Sequence, residues 1–129
     1  MQHLNEKQLA QFKLQLNSKL IKVRERINTV FLESSHVSHH LAVKKLARLS
    51  ADELIEFTSK VENASLTRNI EKLKKLDASL ISIEHKMYGL CSDCEVELSV
   101  EQLLENPTMQ RCPTCETKYQ KQTYNKYRL

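Results

Sequence analysis

The chain has 129 residues, a hydrophobic fraction of 40% and a net charge of +4 from 20 basic and 16 acidic side chains, which fits one domain, or one small domain with an appended arm. One glycine, two prolines and 5% aromatic residues with no tryptophan leave little material for tight turns or a thick core, so long helices are favoured and an enzyme with a deep pocket is disfavoured. No run approaches the roughly 20 apolar residues that cross a bilayer, the start Met1-Gln2-His3-Leu4-Asn5-Glu6 lacks the layout of a signal peptide, and the expectation is a cytoplasmic protein.

Residues 5 to about 33 predict one amphipathic helix, because Leu9, Phe12, Leu16, Leu20, Val23, Ile27 and Val30 recur three and four apart and Asn5 with Gln8 can cap it. The pattern breaks at 33–40, where serines and His36, His39 and His40 offer no apolar face. These histidines read as solvated more readily than as a second metal site. A short basic helix with Lys44, Lys45 and Arg48 follows from Leu41. A second long helix starts at the capping box of Ser50 and Glu53, stapled by Leu49 and Leu54, and runs to about Met87, its apolar seam interrupted once around Arg68. Its near-heptad seam pairs it with the first helix as an antiparallel coiled coil. Gly89 is placed to end that helix. Ser99 and Gln102 cap a short helix to Glu105, and the basic tail after Cys115 is expected to be a helix packed on the rod.

Cys91-x2-Cys94-x17-Cys112-x2-Cys115 has the spacing of a four-cysteine zinc site, in which each pair forms a tight knuckle around a tetrahedral ion. Four thiolates leave no position for an activated water, so one structural Zn2+ is expected and no catalysis at metal. Iron in the same sulfur geometry, or two disulfides, are the competing readings. The expected fold is mostly α: a long two-helix coiled coil over 1–87 with its tip around 34–52, a small zinc finger over 88–117, and a C-terminal basic helix over 118–129.

Tyr88-Gly89-Leu90-Cys91-Ser92-Asp93-Cys94, the x17 spacing and the start Leu4-Asn5-Glu6-Lys7-Gln8-Leu9-Ala10-Gln11-Phe12-Lys13 resemble the DksA/TraR proteins, bacterial regulators of RNA polymerase, over nearly the whole chain. The resemblance implies a protein that binds no DNA itself, docks on RNA polymerase and inserts its coiled-coil tip through the secondary channel; a monomer with no membrane partner is expected. The family's tip motif Asp-x-x-Asp-x-Ala has its nearest counterpart in Arg48-Leu49-Ser50-Ala51-Asp52-Glu53, so Ala51, Asp52 and Glu53 become the tip candidates. By the same resemblance Arg68 stands for a polymerase-binding arginine, and Lys75 is the remnant of a guanosine-tetraphosphate site whose other cations are replaced by Asn106 and Glu116. Glu95 stands directly after the second cysteine, where the family has glycine.

A zinc finger that binds nucleic acid directly is the competing function, but the segment 91–115 sets Asp93, Glu95, Glu97, Glu101 and Glu105 against Arg111 alone, which repels phosphate. A coiled-coil adaptor is the third reading.

Overall fold

The computed structural model describes residues 3–34, 37–61 and 63–127, the side chains of 124–127 excepted. Helix α1 spans Glu6–Leu32, about 40 Å at 1.5 Å per residue. Asn5 accepts from the Gln8 N–H at 2.8 Å and its own N–H donates to the Gln8 side chain at 3.0 Å, so two of the orphan donors of the first turn are satisfied. Phe12, Leu16, Val23, Ile27 and Phe31 form the buried stripe of α1.

Helix α2 spans Val37–Leu46 and therefore begins inside the stretch expected to be a turn. Ser34 explains this: its hydroxyl is hydrogen-bonded with His39 Nδ1 at 2.6 Å, its carbonyl accepts from His40 Nε2, and the His39 ring stands edge-on to Phe31 at 5.1 Å. Both histidines thus tie the first turn of α2 to the end of α1, while His36 lies outside the described residues.

The expected single helix from Ser50 to Met87 is two helices, α3 over Ala51–Thr58 and α4 over Ala64–Glu84. The capping box of Ser50 and Glu53 forms as expected. Arg68, where the apolar seam is interrupted, lies within α4. Thr58 Oγ1 donates to the Leu54 carbonyl at 2.8 Å and Ser59 Oγ to the Glu56 carbonyl at 2.7 Å, local bonds that compete with the helix ladder. Asn63 then caps a new helix by accepting from the Leu66 N–H at 3.0 Å. With 21 residues, α4 is about 32 Å long where one unbroken helix would have been about 50 Å.

Helix α4 also stops before Gly89. Lys86 takes the left-handed conformation at φ +59°, and the Lys86 N–H to Ile83 carbonyl (3.1 Å) and Met87 N–H to Ser82 carbonyl (2.8 Å) bonds make the paired closure of a Schellman end. Two further helices follow, α5 over Val100–Glu105 and α6 over Pro113–Tyr127. Among the described residues the only extended pairing is an isolated antiparallel bridge between Leu90 and Glu97.

The fold is the expected one in outline: mostly α, with α1 and α4 antiparallel and a small cysteine-bearing head at one end. Phe12 near the start of α1 meets Tyr88 just past α4 at 5.5 Å, and Phe31 near its end meets Phe57 at 6.2 Å. The segment between the two long helices folds back beside them. Leu46 and Leu54 are each 1% exposed, worth roughly 2 kcal/mol apiece in apolar burial, and the Arg24 guanidinium donates to the Leu49 carbonyl at 2.8 Å. The turn between α2 and α3 is thereby held partway down α1, short of its end.

Candidate metal centre

Gly89 joins rod to head at φ +87°, and a Cβ there would stand 2.9 Å from Leu4 Cδ1 and 3.0 Å from His3 Cε1. The N-terminal residues therefore lie directly against this turn, where the His3 ring nitrogen Nε2 donates to the Leu98 carbonyl at 2.7 Å. Tyr88 makes the second joint: its buried hydroxyl donates to the Pro107 carbonyl at 2.7 Å, and burial pushes the phenol far above its ordinary range, so it stays a neutral donor.

The first knuckle is fixed by backbone bonds from Cys91 N–H to Val96 (2.9 Å), Glu95 N–H to Cys91 (3.0 Å) and Leu98 N–H to Gly89 (2.7 Å). Its tightness forces Glu95 to φ +62°, which accounts physically for glycine being the favoured residue at such a position. The second knuckle is a helix start. Cys112 precedes Pro113, the first residue of α6, where proline's missing N–H costs nothing, and Cys115 lies in the first turn, where the helix dipole favours a thiolate. Ser92 N–H bonds to the Gln110 carbonyl at 2.7 Å and holds the knuckles together.

The four Sγ atoms of Cys91, Cys94, Cys112 and Cys115 lie within 4.8 Å of one another, and among the described residues they are the one such group of metal-ligating side chains. Cys94 Sγ and Cys112 Sγ are 3.8 Å apart, the edge expected of a tetrahedron with metal–sulfur bonds of about 2.3 Å. The protonation pattern also fits a cation. Burial opposes ionisation of Cys91, but hydrogen bonds from the backbone at Cys112, Cys94 and Asp93 outweigh it and bring this thiol down to about 6. Cys115 is pushed up to about 12, first by its contact with Cys112 and then by Cys94. Contacts between sulfurs raise the Cys115 thiol, and a cation at the centre of the four sulfurs would favour their thiolate forms.

Arg111, the head's lone cation in the sequence reading, proves to be its clamp. Its Nε donates to Asp93 at 3.1 Å, its Nη1 is 4.0 Å from Glu116, and its guanidinium lies 3.8 Å from the Tyr119 ring centroid. Only its position one residue before Cys112 hinted at this. Over residues 117–123, α6 departs from expectation: these residues are exposed and do not pack on the rod.

The other candidate residues are spread over the rod. Arg68 is exposed on α4. Lys75 lines a groove of about 460 Å³ with Lys19, Lys22, Arg26, Lys72 and Thr108, five cations without a carboxylate, three of them supplied by α1 and overlooked in the sequence. Glu116 faces Arg111 instead. Ala51, Asp52 and Glu53 sit at the start of α3, beside the turn held by Arg24. Burial, then Asp52 and Glu84, raise the Asp77 carboxyl above its ordinary value against the opposing effect of Arg24, so Asp52 stands near α4 in a mixed charge environment.

No protein-family profile matches the chain. It is 28% identical over 116 residues, 90% of its own length and 74% of the relative's, to the RNA polymerase-binding transcription factor DksA of Buchnera aphidicola subsp. Schizaphis graminum. It is 26% identical over 118 residues, with the same coverage, to the protein of that name in Escherichia coli K12. The solved structure of transcription factor DksA2 from Pseudomonas aeruginosa has the same fold, with a TM-score of 0.59 at 19% identity over 95% of this chain and 90% of that one.

Proposed function

This chain is a DksA-like family member, and from that premise we propose that it is a transcription regulator that binds RNA polymerase directly and has no catalytic centre of its own. The observation that carries the reading is the convergence of four sulfurs within 4.8 Å at one end of a two-helix rod, in a chain that matches polymerase-binding relatives over 90% of its length. Cys91, Cys94, Cys112 and Cys115 hold one zinc ion whose work is structural: it cross-links two knuckles that have almost no apolar core of their own.

The distal end of the rod enters the polymerase secondary channel, with Arg68 on the exposed face of α4 as a docking contact; Asp52, set back from that end beside Arg24, acts behind the leading part. DNA is not contacted, since the finger's carboxylates repel phosphate. Lys75 contributes to a cationic groove, but the finger adds no cation to it, so a guanosine-tetraphosphate response is weak. The protein works as a cytoplasmic monomer, in keeping with the absence, among the described residues, of any helix long and apolar enough to cross a membrane.

Co-purification with core RNA polymerase tests the reading, with a known secondary-channel factor as competitor. Saturable binding that the competitor displaces is expected. Failure to bind would leave the chain as a coiled-coil adaptor, and salt-sensitive binding to duplex DNA would favour a nucleic-acid finger.

A further inference from the structure

The sequence carries no aspartate or glutamate between Glu33 and Asp52, although the chain has 16 acidic side chains. Helix α2 lies within this acid-free run, and its residues divide between two faces. Leu46 is buried, Val43 packs on the core, and the Lys45 ammonium turns toward α3, 5.5 Å from the Phe57 ring centroid. Val37, Leu41 and Lys44, with Arg48 in the turn that follows, recur four, three and four apart and are all exposed. Val37 at 70% and Leu41 at 76% exposed are among the most exposed apolar side chains described. Val and Leu exposed to this degree, one helical turn apart, bury little apolar surface in this fold, and the inner face already anchors the helix.

We propose that this outer face of α2 is a protein-docking surface and that its partner is an acidic, amphipathic segment of RNA polymerase; the inference rests on the polymerase-binding reading above. Charge complementarity selects the partner: Lys44 and Arg48 face outward with no carboxylate in the run, and an acidic segment supplies what they lack. The apolar half selects protein over nucleic acid, because Val37 and Leu41 match apolar side chains and not a phosphate backbone. A symmetric pairing of two copies through this face is disfavoured, since it sets cations against cations. The adjacent lysines thus have separate jobs: Lys44 serves the partner and Lys45 the hairpin.

Binding of the zinc-loaded full chain to core RNA polymerase, measured across a salt titration, tests this. Leu41→Ser and the double variant Lys44→Glu/Arg48→Glu alter exposed side chains and should keep the wild-type circular dichroism. Each should weaken binding about tenfold or more, the size of effect typical of an interface anchor, and the charge variant should also flatten the salt dependence. Lys45→Gln should leave affinity within about twofold, below the threshold of an anchor residue. Wild-type binding with both outer-face variants unimpaired would overturn the inference while leaving the polymerase reading intact. Wild-type failure to bind would remove both. If the charge variant lost only binding to a single-stranded RNA oligomer and kept polymerase affinity, a nucleic-acid surface would replace the one argued here.

Discussion

Replacing Glu95 by glycine should tighten the finger. Glu95 holds φ +62°, a left-handed conformation that costs an L residue roughly 1–2 kcal/mol. Glycine removes that cost but gives up roughly 0.5–1 kcal/mol more chain entropy on folding. The net gain is about 0.5–1 kcal/mol, since the Glu95 N–H to Cys91 carbonyl bond of 3.0 Å belongs to the backbone and survives the change. Folding and metal binding are linked in so small a unit, so the gain should appear as roughly two- to fivefold tighter zinc retention in competition with a chromophoric chelator. Glu95→Gln separates backbone from charge, because it keeps Cβ and removes only the carboxylate. Glycine giving no tightening, or glutamine giving as much as glycine, would refute the reasoning from backbone strain.

Gly89→Ala should destabilise the protein by about 1–3 kcal/mol, because it adds left-handed strain to overpacking at a Cβ position 2.9 Å from Leu4 Cδ1; an unchanged urea midpoint would show that the N-terminal residues do not seal this turn. Removing zinc with a chelator at neutral pH should cost the signal of α5 and α6 while most of the helical circular dichroism of α1 and α4 persists, and a single cooperative loss of all helix would contradict a head folded by its metal. Asp77 titrates above its ordinary value when folded, so its stabilising contribution is full below the unfolded pKa and is lost as pH rises through the folded one. Asp77→Asn should therefore raise the melting temperature at pH 7 and lose that advantage below about pH 4, where a free carboxyl is protonated; an advantage constant across that range would exclude the electrostatic origin.

Local features were legible in advance. The caps at Asn5, Ser50 and Ser99 were readable because a capping box is encoded in four consecutive residues, and the shared cysteine centre because knuckle spacing is a short-range signal. The break between α3 and α4 was hidden by Phe57, Val61 and Ala64, which continue the apolar seam across it, while the hydroxyls of Thr58 and Ser59 decide the outcome. The left-handed Lys86 masked the true end of α4, since a glycine three residues on was the more conspicuous stop. The fold-back of α2 and α3 depends on Arg24 reaching the Leu49 carbonyl, a contact 25 residues apart in sequence that no periodicity announces. For α6, alternating lysines and tyrosines looked like a packing face, and only the exposed residues 117–123 exposed the error.

That fold-back changes the dimensions of the far end. Two helices of about 10–12 Å diameter side by side have a cross-section near 10 by 20 Å, thin enough for a slot. With α2 and α3 lying along α1 and α4, the last third is closer to 20 by 20 Å, so any aperture that receives it must be about twice as roomy, and the leading part behaves as a plug where a bare stalk would be a probe.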